Sequence, residues 1–297
     1  TLDLLARERV ITKEEYEQRL KSVSLPPLGP VPEWATSFNR DNPKSLAVDG
    51  AGNVYVTGSS EGIDTEIDYV TIKYDRNGNK LWDARYNGPG NGTDSPSALL
   101  VDGEGNSYVT GSSADRKLGK GEFIKIEELT TVKTEFVTIK YDENGKQRWL
   151  ARYSSPGFAN TAKAMAIDGN GNVYVTGSSV KRDVSIEYVT IKYDINGNQT
   201  WVTRTKVSGH NDFIGSPKPS YVGLDGDVNV YVAGTTWGGT SNYYTLIKYD
   251  ASGKELWKIT DNGPNKGNAI LIGMVINRDG NVVITGTSYR ELTKGLA

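Results

Sequence analysis

The hydrophobic and polar positions along this chain follow a repeating order, which is clearest over residues 166–201. A short apolar run at residues 164–167, the first strand, ends in a turn cluster at residues 168–172, whose Gly, Asp and Asn residues favour a chain reversal. Residues 173–176 are β-branched or aromatic and predict a second strand. After a variable loop, residues 188–193 alternate with period two, which predicts a third strand with two distinct faces. Residues 194–197 are a hairpin signal, and the tryptophan that ends the unit opens a further strand.

This unit of four strands occurs four times and begins a fifth time. The copies occupy residues 45–82, 98–149, 166–201 and 222–257, with a partial copy at 275–288. Four short antiparallel strands repeated at this spacing are typical of a β-propeller. We therefore predict an all-β fold, a β-propeller of about five four-stranded blades. The first four blades are expected at residues 44–87, 96–154, 162–206 and 219–260.

The two ends of the repeat region indicate how the ring closes. Residues 33–39 resemble a fourth strand, because Trp34 matches the tryptophan that opens the fourth strand of each blade. A fourth strand placed before any first strand predicts that this segment completes the last blade together with residues 268–297. No clear third strand follows in that blade. Either residues 289–296 form a degenerate third strand, or the natural chain carries more blades.

The N-terminal residues lie outside the repeat, so we divide the chain into residues 1–32 and the propeller at 33–297. Residues 12–15 match a capping box, which predicts a short helix over about 13–21, followed by a proline-rich linker. The helical segment resembles short oligomerisation segments of bacterial proteins. One hypothesis is a homo-oligomer through this helix or through the incomplete fifth blade. The other is a helix that packs on the propeller or stays in solvent.

The copies differ mainly at one end of the predicted strands. Their Asp-rich turns are nearly identical, whereas the loops between second and third strands and between blades vary in length and character. The second blade carries an insertion at residues 114–134, with a predicted extra hairpin. Loops held on a rigid scaffold commonly carry recognition, so we expect this variable loop face to bind a protein or a glycan.

One group of aromatic residues on that face is the predicted binding site. Trp237 stands outside the series of tryptophans that open fourth strands, and Tyr243 and Tyr244 follow it closely. His210 and Phe213 come from the neighbouring loop between blades. Exposed aromatic residues are frequent anchors of binding surfaces. The alternative is that these side chains pack only within their own loops.

Composition excludes several classes of function. The 297 residues carry a formal net charge of −2, which gives no basic surface for nucleic acid. No segment has the length and apolarity of a membrane span. With no cysteine, the chain can form neither a disulfide nor a thiolate metal site. We predict no nucleic-acid partner, no membrane span and no cofactor.

The sequence offers little catalytic chemistry. His210 is the single histidine, so a metal site of several histidines is impossible. The Asp residues of the repeated turns could suggest calcium, but the bidentate Glu of such loops is missing and turn capping explains every copy. We therefore predict no catalytic and no metal-binding residue. The alternative is a propeller hydrolase or lyase that uses the loop carboxylates Asp212, Asp115 or Asp183.

A lysine recurs near the end of each third strand, in step with the tryptophan of the fourth strand. The lysines are Lys73, Lys140, Lys192 and Lys248, and the tryptophans are Trp82, Trp149, Trp201 and Trp257. A cation over an indole contributes about 0.5–2 kcal/mol. We predict that these pairs stabilise the contacts between adjacent blades.

The string GNVYVTGSS…DYVTIKYDxNGNxLW resembles the seven-bladed β-propeller repeat of bacterial and archaeal proteins, which are often large and exported. The resemblance extends over residues 33–288. It implies a propeller fold and an extracellular or cell-surface location, and it implies no reaction, because a fold does not determine a function. We predict a non-catalytic exported binding or assembly module. A further alternative is a structural subunit of a surface filament or layer.

Overall fold

The structure is a computed structural model, and it describes residues 41–117, 133–155, 159–181, 183, 185–207, 218–238, 241–264 and 267–289. Several predicted elements lie outside these residues. They are the N-terminal helix and linker, the closing strand at 33–39, the extra hairpin of the insertion, and the third strand at 289–296, of which only Tyr289 is described, as the last residue of a second strand. The outcome of those predictions is therefore not decided by the described part of the chain.

The described residues form eighteen strands in five antiparallel sheets, and these ranges contain no helix. Sheet 1 contains β1 Asp41–Val48, β2 Val54–Glu61, β3 Ile67–Tyr74 and β4 Lys80–Tyr86. Sheet 2 contains β5 Asp94–Val101, β6 Ser107–Ala114, β7 Thr134–Tyr141 and β8 Gln147–Tyr153. Sheet 3 contains β9 Ala159–Ile167, β10 Val173–Val180, β11 Ile186–Tyr193 and β12 Gln199–Lys206. Sheet 4 contains β13 Lys218–Leu224, β14 Val230–Trp237, β15 Asn242–Tyr249 and β16 Glu255–Asp261. Sheet 5 contains β17 Asn268–Ile276 and β18 Val282–Tyr289.

The four-stranded units confirm the predicted all-β repeat. The first strands begin up to about three residues earlier than predicted, because each continues through a bulge that interrupts its alternation. In β5 the register shifts between Pro96 and Ala98, and in β13 it shifts between Pro219 and Tyr221. A proline cannot donate to the sheet and reads as a strand breaker, although a bulge accommodates it.

Successive sheets pack face to face in chain order. We call the face toward the next sheet the forward face and the face toward the preceding sheet the rear face. Tyr55 and Tyr69 on the forward face of sheet 1 form one core with Val109 and Ile139 on the rear face of sheet 2. Equivalent cores join sheets 2 and 3 and sheets 3 and 4. The hydrophobic core is thus distributed between the sheets, as in repeat proteins.

The tryptophan of each fourth strand packs on the hairpin turn of the next sheet. The indole Nε1 of Trp149 donates to the carbonyl of Ile195 at 3.0 Å. A Cβ added at Gly197 in that turn would lie 2.7 Å from the Trp149 ring. The same arrangement places Trp82 on Gly145 and Trp201 on Gly253. Two features therefore require glycine at this position of the turn: the positive φ and the indole that packs directly on it.

A second ring contact links each third strand to the glycine of the following second strand. Phe136 lies against Gly177, where an added Cβ would be 2.5 Å from the ring and 2.2 Å from the Thr161 carbonyl oxygen. Tyr69 is placed in the same way on Gly111. The glycine inside the second strand therefore leaves room for an aromatic ring from the preceding sheet.

The prediction that the recurring lysines lie over the indoles is wrong, because the lysines lie over tyrosines. The Nζ of Lys73 lies 4.9 Å from the centre of the Tyr55 ring in its own sheet. The other three lysines lie over the equivalent tyrosines: Lys140 over Tyr108, Lys192 over Tyr174, and Lys248 over Tyr231. The strand register pairs Lys73 with Tyr55 on one side and with Trp82 on the other, so the register alone does not select the tyrosine. The Trp82 indole is directed instead to the next turn.

We predict that Gly197→Ala destabilises the protein more than Gly52→Ala. Both glycines are in turns at φ of 83° and 82°, so both substitutions introduce similar backbone strain, on the order of 1 kcal/mol. Only the first meets a ring, since the nearest heavy atom at Gly52 is the Cβ of Arg76 at 3.6 Å. We expect an additional loss of about 1–3 kcal/mol for Gly197→Ala, measured by urea unfolding. Equal losses would show that the Trp149 contact contributes nothing.

Candidate binding surface at the loop ends of the sheets

Each sheet has a turn end and a loop end. The turn end carries the hairpin turns after the first and third strands, and the loop end carries the other connections. At the turn end, Asp49 Oδ1 accepts from the amides of Ala51 and Asn53 at 3.0 and 2.9 Å. Its Oδ2 accepts from Asn53 Nδ2 at 2.8 Å and from the Tyr55 hydroxyl at 3.2 Å. Asp102, Asp168 and Asp225 repeat this arrangement.

These turn carboxylates are occupied by their own turns. Burial opposes ionisation of Asp168, but hydrogen bonds from Asn172, Asn170 and Tyr174 outweigh it and lower its pKa. The hydrogen bonds of Asn79 and Asn77 likewise lower the pKa of the exposed Asp75 in a third-strand turn. The carboxylates therefore stay charged and cap the turns, which accounts for their repetition without a ligand.

One groove of the described surface lies at the turn end, between sheets 2 and 3. It has a volume of about 610 Å³, and Leu100 and Ile167 contribute to its apolar lining. Two of its carboxylates, Asp102 and Asp168, are already bonded within their turns. The volume of this groove favours the turn end, whereas the variation of residues from sheet to sheet favours the loop end. We give the second criterion more weight, because variable loops on a constant scaffold commonly carry recognition.

The loop ends differ from sheet to sheet at equivalent positions. The last residue of the second strand is Glu61 in sheet 1, Ala114 in sheet 2, Val180 in sheet 3 and Trp237 in sheet 4. These residues share one backbone register, since each pairs with the first residue of the next strand. The scaffold therefore carries an acid, two aliphatic residues and an indole at the same position, and of these Ala114 is buried.

The alternation of side chains along the strands places the predicted aromatic residues on different faces of sheet 4. Trp237 is half-buried and pairs with Asn242, while Tyr244 pairs with Thr235. Because residues two apart share a face, Trp237 and Tyr244 lie on the forward face of sheet 4. The Tyr244 hydroxyl donates to the carbonyl of Thr287 in sheet 5 at 2.7 Å. Tyr244 thus makes a contact between sheets, and its role in binding stays a prediction.

The other predicted site residues are not brought to that face. Tyr243 pairs with Thr236, which places it on the rear face of sheet 4. Its ring lies against Gly238, where an added Cβ would be 2.1 Å away. His210 and Phe213 lie outside the described residues. Of the five predicted residues, the structure therefore places Trp237 and Tyr244 together and Tyr243 apart from them.

Sequence reasoning missed a set of acidic residues at the loop ends of the third strands. Asp68 is 1% exposed and accepts from the Arg85 guanidinium at 2.9 Å. Glu135 pairs with Arg152 at 2.7 Å, and Glu187 pairs with Lys181. The signal was present, because an acid precedes the aromatic residue of the third strand in each of the first three copies.

Asp94, the first residue of β5, is another acidic residue that sequence reasoning missed. Its side chain is fully buried at the loop end between sheets 1 and 2, and it accepts from the Gly88 amide at 2.6 Å. Burial raises its pKa to about 6, with the nearby Asp68 acting in the same direction, against hydrogen bonds from Ser113 and Gly88. In sheet 3 the equivalent position is the neutral Asn160, which bonds to Thr134.

The carboxylates proposed for a catalytic alternative have local partners. Asp183 Oδ1 accepts from the amide and hydroxyl of Ser185 at 3.0 and 2.6 Å. Asp115 accepts from the Lys133 amide at 3.0 Å and borders a cavity of about 290 Å³. Asp212 lies outside the described residues. Asp115 and Asp183 belong to the loops of different sheets, and each closes its own loop.

Three segments of the chain, residues 28–63, 84–115 and 158–179, match the family SBBP, which is described as a β-propeller repeat. Together with the repeated four-stranded sheets, these matches show that the chain carries the β-propeller repeat of this family. Within the described ranges there is no helix of the length and hydropathy that a bilayer crossing requires.

Relatives and similar structures match the chain in part. An uncharacterised WD repeat-containing protein of Acanthamoeba polyphaga mimivirus is 30% identical over 148 residues, which are 47% of this chain and 10% of that protein. A gluconolactonase of Xanthomonas campestris aligns with 82% of this chain and 69% of its own, at 14% identity and a TM-score of 0.40. A Hadza microbial sialidase aligns with 78% of this chain and 49% of its own, at 11% identity and a TM-score of 0.46. The chain thus spans about a tenth of that curated relative.

We predict that Asp94→Asn stabilises the protein at pH 7.5 and removes part of its pH dependence. A carboxyl whose pKa is raised on folding, from 3.8 to about 6, destabilises the native state above that value. Wild-type stability should therefore gain up to about 3 kcal/mol from this group as the pH falls from 7 to 4. Urea unfolding at several pH values measures the effect. Asp83→Asn, the same change at an exposed residue, is the control, and parallel pH curves for wild type and Asp94→Asn would refute the assignment.

Proposed function

We propose that this chain is a non-catalytic binding or assembly module, located outside the cytoplasm, that contacts a protein or a glycan through its loop ends. The observation that carries the proposal is the difference between the two ends of the sheets. The turn ends repeat one structure and use their carboxylates internally, whereas the loop ends differ, with Glu61, Ala114, Val180 and Trp237 at one register position. The proposed location rests on the resemblance of the repeat to those of exported proteins.

The finer architecture that we propose is a ring of about five blades, closed by residues 33–39. Apolar residues at the two ends of the sheet series support it. Leu46 and Val48 on the rear face of sheet 1 are 68% and 57% exposed. Val275 and Val283 on the forward face of sheet 5 are 70% and 68% exposed. Ring closure brings these two faces into contact, in the same way as the facing surfaces of sheets 1 to 4 pack on one another.

Trp237 is the proposed anchor of the binding surface. Its indole is half-buried at the loop end of sheet 4, so it combines a supported ring with an accessible face. Indole rings provide a large contact area with little loss of conformational entropy, which suits stacking on a sugar or on an aromatic peptide side chain.

We predict that Trp237→Ala weakens binding of a ligand to the loop ends at least about tenfold, or about 1.4 kcal/mol. Soluble oligosaccharides and peptides are first screened by ligand-induced thermal stabilisation and then titrated by calorimetry. Trp257→Ala is the matched control, because it removes a half-buried tryptophan from the turn end of the same sheet. The proposal fails if Trp257→Ala weakens binding and Trp237→Ala does not, or if the protein hydrolyses the ligand.

A second candidate function is that of a subunit of a surface filament or layer. The exposed Val275 and Val283 favour it, because they occupy a face that the other sheets bury against a neighbour. In that case the face meets another copy of the chain instead of sheet 1 of its own chain. The predicted N-terminal helix is the other proposed contact between copies.

We predict that an oligomer formed through sheet 5 dissociates in Val275→Ser/Val283→Ser and persists after deletion of residues 1–30. Polar residues remove the apolar contact without shortening the chain. Size-exclusion chromatography with light scattering measures the mass of both variants and of the wild type. An oligomer lost only on deletion of residues 1–30 assigns the contact to the helix, and a wild-type monomer over the accessible concentration range removes this second candidate.

A further inference from the structure

The chain contains seven Asn-Gly pairs, which begin at residues 77, 87, 91, 144, 170, 196 and 262. Such a pair is where an asparagine side chain most readily loses ammonia, because the glycine nitrogen can attack the side-chain amide and glycine has no side chain to hinder the approach. All seven pairs lie in the described part of the chain. The state of each glycine amide in the folded protein therefore distinguishes them.

In six of these pairs the glycine amide donates a hydrogen bond. Four of the glycines lie in the repeated turns and donate to a backbone carbonyl of aspartate at 2.9–3.0 Å: Gly78, Gly145, Gly171 and Gly197. The Gly88 amide donates to Asp94 Oδ2 at 2.6 Å, and the Gly263 amide donates to Asp261 Oδ1 at 2.5 Å. Because an amide must lose its proton before its nitrogen can attack, each of these hydrogen bonds has to break first.

The pair formed by Asn91 and Gly92 differs from the other six. Among the described residues the Gly92 amide has no acceptor. Asn91 is exposed in the loop between β4 and β5, and its Oδ1 accepts from Asn87 Nδ2 at 2.7 Å, which draws electrons from the carbonyl carbon that is attacked. Gly92 is buried, because an added Cβ would collide with the Arg116 carbonyl oxygen. Burial slows proton loss, but no hydrogen bond has to break before the attack.

We infer that Asn91 is a site of spontaneous covalent modification, at which the side chain loses ammonia and takes up water. The Gly92 nitrogen loses its proton and forms a bond to Asn91 Cγ. The bond from Cγ to Nδ2 breaks, and the side-chain nitrogen leaves as ammonia with that proton. Water then opens the cyclic imide at either carbonyl and gives aspartate or isoaspartate, with no oxidation or reduction. This inference is independent of the proposed function.

The modification alters the loop end of the junction between sheets 1 and 2. The Asn91 carbonyl accepts from the Glu66 amide at 3.3 Å, and the Asn91 amide donates to the Gly88 carbonyl at 3.0 Å. The Thr93 hydroxyl donates to Glu66 Oε2 at 2.7 Å. Isoaspartate lengthens the main chain by one methylene group, and either product adds a negative charge beside Glu66. Both changes weaken the contact between the two loops.

Peptide mapping of the full chain by mass spectrometry tests the inference. The protein is incubated at pH 8 and 37 °C in water enriched in oxygen-18 and is then digested in ordinary water, so that only conversion before digestion carries the label. Fragment ions separate Asn91 from Asn87. We expect Asn91 to take up label at least about tenfold faster than the asparagine of any other pair, which corresponds to about 1.4 kcal/mol in the barrier. The rate should rise with pH, because the attacking nitrogen must lose a proton.

A matched pair of variants at the exposed Asp261 tests the role of the hydrogen bond. Asp261→Ala removes the acceptor of the Gly263 amide, so Asn262 should convert faster, whereas Asp261→Asn keeps an oxygen there and should leave Asn262 slow. In urea all seven pairs should convert at similar rates. The inference is overturned if another pair leads in the folded protein, if Asn262 is unchanged in Asp261→Ala, or if the lead of Asn91 persists in urea, which would assign it to the local sequence.

Discussion

The packing of an aromatic ring on a glycine of the next sheet is the interaction on which this structure depends. It occurs twice at each described junction between the four-stranded sheets 1 to 3, once with Trp82 or its equivalents and once with Tyr69 or its equivalents. Both contacts run in one direction, from each sheet to its successor. Because a glycine leaves room for the ring and no other residue does, ring and glycine specify each other and determine the distance between neighbouring sheets.

This directional pairing explains how a chain with 36% hydrophobic residues holds five sheets together. The space between the sheets is filled partly by polar groups that pair with one another. Thr110 and Thr138 bond through their hydroxyls at 2.9 Å in a fully buried position. The Tyr231 hydroxyl shares its single proton between Asp225 of its own sheet and the Gly280 carbonyl of the next. Satisfied polar groups of this kind are tolerated in a core and demand accurate geometry, so the turn ends cannot vary without loss of a junction.

Much of the fold could be predicted from the sequence, because one unit written four times reveals its strands through their shared pattern. The repeated glycines and tryptophans were recognised, and their partners were not. The choice of Tyr55 over Trp82 as the partner of Lys73 goes with the direction of the Trp82 indole toward the next sheet, which a single unit does not disclose. The burial of Asp94 depends on two sheets meeting at one point. Tyr244 illustrates the same limit, since it reads as a loop residue and contacts sheet 5.

The contacts that stabilise the junctions and the sequence differences between the copies lie at opposite ends of the sheets. The indoles and the Asp-capped turns stabilise each junction near the turn ends, so changes at the loop ends leave the spacing of the sheets unaltered. Asp94 shows how far such a change is tolerated. A charged group in a buried position destabilises the junction of sheets 1 and 2, whereas the equivalent Asn160 at the next junction carries no charge. A repeat protein withstands one such weak junction because its stability is a sum over neighbouring units. The differences between the copies of the repeat therefore accumulate at the loop ends, which contribute neither to the indole contacts between sheets nor to the Asp-capped turns.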